Sequence, residues 1–275
     1  MNVLDFIGNY EKAGKTPLLL GNETSISEKN TGGYPNIEYP DDCIVDFDIR
    51  LIDLFKELDK KSLTVKERIH QEYYRIKGLL DGKIPTRMDL FTYMEDEVYR
   101  YCMKHTKENP FRHYLDYLYG LQELSKEEEE LYAGIGKEFL TLIETTDMTK
   151  VYKMPILYSF YNNGNVRLEV TEDEVLTCWK EFFGKNKNWR DFSNGITYEE
   201  YKMMTDKQHL AKAKSMPIKF LKASGKGFFV EKEGYALAIR EDLRDVIKSE
   251  VFCAHMNDIL EYRTMDYYRR RYESM

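Results

Sequence analysis

Long apolar runs are missing. Nowhere in the 275 residues is there anything near the roughly 20 consecutive apolar residues that a membrane-spanning helix needs. The N-terminus also lacks the basic, apolar, small-residue order of a signal peptide. Both absences point to a cytoplasmic protein without a membrane partner. Cysteine is scarce: Cys43, Cys102, Cys178 and Cys253 are scattered with no Cys-x-x-Cys pair, which excludes a structural zinc framework and predicts free thiols in a reducing compartment. The five histidines show no metalloprotease spacing, and His105 with His113 is too isolated a pair to hold a metal. No cofactor and no metal site is implied. A nucleophile elbow is absent too, so the chain itself is not read as an enzyme.

One near-motif fails on spacing. Gly8 to Thr16 follows the strand-like Val3–Ile7 and looks like a phosphate loop, but five residues separate Gly8 from Gly14 where a Walker A loop has four. Pro17 then obstructs the helix that should grow from it. Asp41, Asp46 and Asp48 lie near a strand, as in a metal-dependent nuclease, yet the acid-x-lysine of a following strand is missing. Asp59-Lys60-Lys61 sits at a helix end and Asp81-Gly82-Lys83 in a turn. Nuclease chemistry stays as the second alternative.

What is present suits a folded chain, with 42% hydrophobic and 32% charged residues. Tyrosine is plentiful at 22, which fits semi-buried helix faces with polar tips in water. Short strands are read at Val3–Ile7 and Cys43–Phe47. Helices follow at Ile49–Leu58, from the Thr64/Glu67 capping box to Leu80 with an Asp81-Gly82 stop, and from N-cap Thr86 through Met94. Further helices are read at Phe111–Tyr119 after Asn109-Pro110, from the Ser125/Glu128 box, and through Phe139–Ile143. Met88, Phe91, Tyr93, Met94, Tyr99 and Tyr101 are read as helical core rather than a binding box.

Between Thr149 and Ile239 the order is helix, strand, helix, helix, hairpin. Val151, Met154, Ile156, Leu157 and Phe160 make a helical stripe, with Asn162-Asn163-Gly164 after it, and Val166, Leu168 and Val170 alternate as one strand. The Thr171/Glu174 box opens a helix that Gly184 ends. Phe228–Val230 and Tyr235–Ile239 flank Glu233-Gly234 as a hairpin. Between them, Lys207 to Lys226 carries six lysines and neither arginine nor carboxylate, in a chain of net charge −7. A positive island on an acidic body orients a polyanion. Pro217 predicts a break near Ser215 and hence two short helices.

These features predict a mainly α fold with minor β: residues 1–145 as a mainly helical domain with short N-terminal strands, and 146–275 as a winged-helix-like domain with a C-terminal helical extension. The candidate phosphate contacts are Lys207, Lys212, Lys214, Lys219, Lys222 and Lys226. Lysine without arginine favours phosphate over base readout, so salt-sensitive, weakly sequence-specific DNA binding is expected. Gly184 to Asp206 is longer than the turn of a compact helix-turn-helix. Its Trp189, Phe192, Tyr198 and Tyr201 offer stacking surfaces for a single strand, with core filling as the commoner use. Arg269, Arg270 and Arg271 end the helix Val251–Arg271, where cations complement the dipole; a phosphate contact there is secondary. The alternative to DNA binding is a protein-interaction scaffold.

Four strings carry a resemblance: VLDFIGNYEKAGKTPLLL at Val3 to Leu20, PTRMDLFTYMEDEVY at Pro85 to Tyr99, TTDMTKVYKMPILYSFYNNGNV at Thr145 to Val166, and ILEYRTMDYYRRRY at Ile259 to Tyr272. Together they resemble the region behind the motor core of bacterial DEAD/DEAH-box (superfamily 2) helicases, some of which are associated with mobile elements and carry a phospholipase D-like nuclease domain at the front. The resemblance implies a helicase C-terminal accessory region, cut from a longer protein or encoded alone, with the motor core as partner in cis or in trans. The motor's own motifs, Walker A, the Asp-Glu-Ala-Asp/His box and the arginine finger, do not occur here, so ATP hydrolysis is not assigned to these residues.

Overall fold

The computed structural model describes residues 63–105 and 109–273. The expected strands Val3–Ile7 and Cys43–Phe47, the Gly8–Thr16 loop, the helix Ile49–Leu58, Cys43, and the carboxylates Asp41, Asp46, Asp48 and Asp59 lie outside them. The described residues fall into two compact units, one with residues 63–83 and 95–101 and the other with 84–94, 102–105 and 109–273.

In the first unit, helix α1 (Val65–Leu79) begins where the side chain of Thr64 accepts from the Glu67 amide and Glu67 reaches back to Thr64, a reciprocal cap that satisfies two orphan donors. Asp81 and Gly82 both take positive φ (55° and 82°) and turn the chain out of the helix as expected. Glu72, buried on α1, accepts from Arg75 and from the Glu95 amide at 2.8 Å.

The second unit is mainly helical. Its helices are α2 (Arg87–Tyr93), α4 (Tyr114–Leu121), α5 (Lys126–Ala133), α6 (Ile135–Thr145), α7 (Lys153–Phe160), α8 (Glu172–Gly184), α9 (Tyr198–Lys202), α10 (Asp206–Ala213), α11 (Lys219–Ser224) and α12 (Glu250–Glu273); α3 (Asp96–Lys104) runs from the first unit into the second. The Thr86, Ser125 and Thr171 caps form as read. So do two further boxes, Thr197/Glu200 and Thr205/Gln208. The Glu127–Glu130 run starts α5, with its carboxylates at the positive end of the helix.

The expected strand Val166–Val170 divides between two sheets. Strand β1 (Tyr161–Asn162) pairs antiparallel with β2 (Asn165–Val166) across Asn163 and Gly164, both at positive φ, the two-residue turn that Asn-Gly favours. Strand β3 (Glu169–Val170) joins β4 (Phe229–Val230) and β5 (Leu237–Ile239) in a three-stranded antiparallel sheet of order β3-β5-β4. Arg167 marks the divide: its amide bonds back to the Phe160 carbonyl, while its guanidinium pairs with Glu174 on α8.

One apolar core runs through the second unit. It includes Phe139, Leu140 and Ile143 of α6, Ile156 and Phe160 of α7, Trp179 and Phe183 of α8, Phe228, Phe229 and Leu237 around the sheet, and Phe252 and Ile259 of α12. The expected boundary at 145/146 falls inside this unit, between α6 and α7, which both feed that core. Three elements are also tied by Arg87. Its guanidinium donates to Glu144 of α6 at 2.5 and 2.8 Å and to Asp258 of α12 at 2.8 Å, all three residues being buried. Burial alone would lower the arginine's pKa, but the two carboxylates overcome it and hold it above the ordinary value.

Candidate nucleic-acid interface

Five of the six lysines lie on one helical run rather than on two separated helices, and Lys226 follows its end. From Asp206 to Ser224 the chain passes through α10, a π-turn at Lys214–Ile218 containing buried Pro217, and α11, with Ala213 and Lys219 both at right-handed helical angles. Proline lacks the N–H that would bond four residues back, and its ring crowds that carbonyl. One extra residue in the turn absorbs the conflict without ending the helix. The run buries His209, Ala213, Pro217, Ile218 and Leu221.

The six lysines do not share one environment. Lys207 and Lys219 each stand two residues before a buried position, His209 and Leu221 respectively, and are exposed; at 100° per residue that places them on the outward side. Lys226 follows the helix at φ 49° and is exposed. Among the described residues no carboxylate pairs with these three. Lys214 instead pairs with Glu172 at the start of α8, and Lys222 with Glu231 beyond β4. Lys212 is half-buried on the flank, its Nζ 5.5 Å from the Tyr152 ring centroid and 5.4 Å from that of Phe192.

The hairpin after the run has two carboxylates and one lysine at its tip. Lys232 bonds Glu169 of β3 at 2.6 Å, Glu231 and Glu233 are exposed, and Gly234 turns at φ 81°. In the segment between α8 and α10, Phe192 and Tyr201 are buried and pack on His209 with centroids 5.1 and 5.5 Å away. Trp189 and Tyr198 pair with each other at 5.4 Å, and only Tyr198 of the four is exposed, at 43%. Three of the four aromatics therefore serve packing. The terminal arginines are engaged within the chain: Arg269 over the Phe91 ring at 5.3 Å, Arg270 with Asp266 at 2.7 Å and Arg271 with Asp191 at 2.5 Å.

Of the titratable groups nearby, burial first and Lys180 second push His209 below the ordinary histidine value, so it stays neutral inside the fold. Burial drives the thiols of Cys102 and Cys178 up to about 12, which leaves them protonated and unreactive. Among the described residues no group of three or more His, Cys, Asp or Glu side chains could hold a metal ion, and no helix is long and apolar enough to cross a membrane.

The aromatic-held pair Lys150 and Lys212 escaped sequence reasoning, because residues 62 positions apart meet only through Tyr152. Comparison of the chain with protein-family models, with curated proteins and with solved structures finds no match in any of the three.

Proposed function

We propose that the second unit holds DNA by its phosphates, as a non-catalytic accessory region working with a helicase motor core. The observation that carries the reading is topological: β3, α8, the helical run Asp206–Ser224 and the β4-β5 hairpin follow in order, with β5 between β3 and β4 in the sheet. That order is similar to a winged helix, and it supports reading the helix before the hairpin as the groove-facing element and the hairpin as a wing. Lys207, Lys219 and Lys226 provide phosphate contacts on that helix and at its exit. Lys214 and Lys222 are committed to Glu172 and Glu231 and contribute less. The motor core enters as partner through the four strings that resemble helicase C-terminal regions.

The test is fluorescence anisotropy of labelled duplex and single-stranded DNA with the full chain. Replacing Lys207, Lys219 and Lys226 with glutamate is expected to weaken binding and to flatten the slope of log K against log salt by about 0.9 per lost duplex contact, or about 0.7 for a single strand. Lys214→Gln with Lys222→Gln should change both less. Unchanged affinity of the triple variant at low salt overturns the reading.

A protein-docking role is favoured by a different observation: Met216 and Phe220, on the same helical run, are 40% and 51% exposed. Loss of partner capture in Met216→Ala/Phe220→Ala, with DNA affinity intact, would select that reading.

A further inference from the structure

We infer that Lys150 and Lys212, set about the ring of Tyr152 with the Asn194 amide hydrogen-bonded to Lys150, form a discrete site for a phosphate monoester dianion. Lys150 precedes α7, Lys212 lies in the last turn of α10, and Asn194 follows the 3-10 turn Asn188–Asp191. Lys150 Nζ is 5.5 Å from the Tyr152 centroid and donates to Asn194 Oδ1 at 2.7 Å, while Lys212 Nζ is 5.5 Å from the same centroid. The platform is fixed, since Tyr152 is buried and its hydroxyl donates to the Phe192 carbonyl at 2.6 Å.

Two ammonium groups brought to one ring repel each other unless an anion joins them. Among the described residues neither has a carboxylate partner, a lack they share with Lys207, Lys219 and Lys226 but not with Lys180, Lys214, Lys222, Lys232 and Lys248; what sets this pair apart is that both ammonium groups lie at one ring. Nor does the phenol act as counter-ion: burial, aided by Asp191, pushes Tyr152 up to about 12, so its hydroxyl stays neutral. Burial and then Lys150 depress the pKa of Lys212, the direction expected of an unneutralised pair.

A dianion matches both charges at once, and a phosphate monoester carries about −1.5 to −2 at neutral pH. A backbone phosphodiester carries one charge, so this site goes beyond the groove contacts of the preceding section and is separable from them. Its ligand chemistry is that of free phosphate or of the phosphorylated end of a nucleic acid strand.

Two arms test it on the full chain. In the first, inorganic phosphate is titrated while amide NMR shifts are followed; a saturable shift at Lys150, Asn194 and Lys212, abolished in Lys150→Met and in Lys212→Met, is expected. Methionine keeps the apolar stem on the rings, and a thermal melt of each variant confirms folding. In the second, one single-stranded oligonucleotide is compared with a 5′-phosphate and with a 5′-hydroxyl; about a tenfold preference for the phosphate, lost in both variants, assigns the site to strand ends. Saturable phosphate binding without that preference supports the site and assigns it to free phosphate. No saturable shift and no end preference overturns the inference, and does so even if the Lys207/Lys219/Lys226 variant still loses backbone affinity.

Discussion

At the scale of single residues the strongest constraint is the buried charge set around Arg87. Its guanidinium, 1% exposed, satisfies Glu144 and Asp258, and Asp258 also accepts from the amides of Arg87 and Met88 at 3.1 Å each. Removing one member of such a set strands the others in low dielectric, which costs more than the set contributes when whole. Arg87→Ala is therefore expected to lower unfolding free energy by about 3–5 kcal/mol, measured by urea denaturation. Arg87→Ala combined with Glu144→Gln and Asp258→Asn should recover part of that loss, and a single variant as stable as wild type would contradict the account. His209 gives a pH prediction with a definite sign. Its folded pKa is depressed, so the unfolded chain binds the extra proton; the stability it contributes is full above the unfolded value of about 6.5 and is lost as pH falls below it. Thermal melts from about pH 7 to about pH 5 should fall less steeply for His209→Phe than for wild type.

At the scale of elements, the sequence is readable wherever structure is decided within a few residues. The Thr64, Ser125 and Thr171 capping boxes and the Asp81-Gly82 stop form where their spacing places them. The Thr197 and Thr205 boxes carry the same spacing and were as legible. Readability fails where the deciding partner is remote. Val166 to Val170 alternates like one strand, yet the Leu168 carbonyl accepts from the Ile239 amide at 2.7 Å and Val170 from Ala236 at 2.8 Å, and no local pattern announces that exchange of sheets. Pro217 shows a subtler failure: the rule that proline interrupts holds for the hydrogen bond but not for the helix, which yields one π-turn. The glycines separate in the same way. Gly184 is the last residue of α8, but the left-handed residue beyond it is Asn186 at φ 51°, and a Cβ on Gly184 would meet nothing within 4 Å. Gly184→Ala should raise the melting temperature or leave it unchanged, since alanine is the better helix former by about 1 kcal/mol. A Cβ on Gly225, between the lysine-bearing run and β4, would collide with the Leu221 carbonyl and lie 2.7 Å from Phe229 Cδ2. Gly225→Ala is expected to cost about 1–3 kcal/mol, so equal melting temperatures for the two variants would refute the distinction.

For the whole molecule, the lysine island was legible as charge but its partition was not, because Glu172 lies 42 residues from Lys214 and arrives only through folding. The same nonlocality governs how the chain can be cut. Phe139 of α6 has ring centroids 5.5, 5.7 and 6.0 Å from those of Phe228, Phe229 and Phe252. Leu140, Leu142 and Ile143 beside it are buried in the same core. Each such side chain contributes about 1.5–3 kcal/mol when fully buried, and four of them together rival the about 5–15 kcal/mol that holds an entire domain folded. A fragment of residues 146–275 would also leave Asp258 without Arg87, so it loses apolar cover and a buried counter-charge at once. That fragment is expected to show a collapsed amide NMR spectrum and a non-cooperative melt, whereas one beginning at Ile84 retains α2, α6 and the full core and should melt cooperatively. A well-dispersed spectrum from 146–275 would mean that this part stands alone and that α6 merely leans on it.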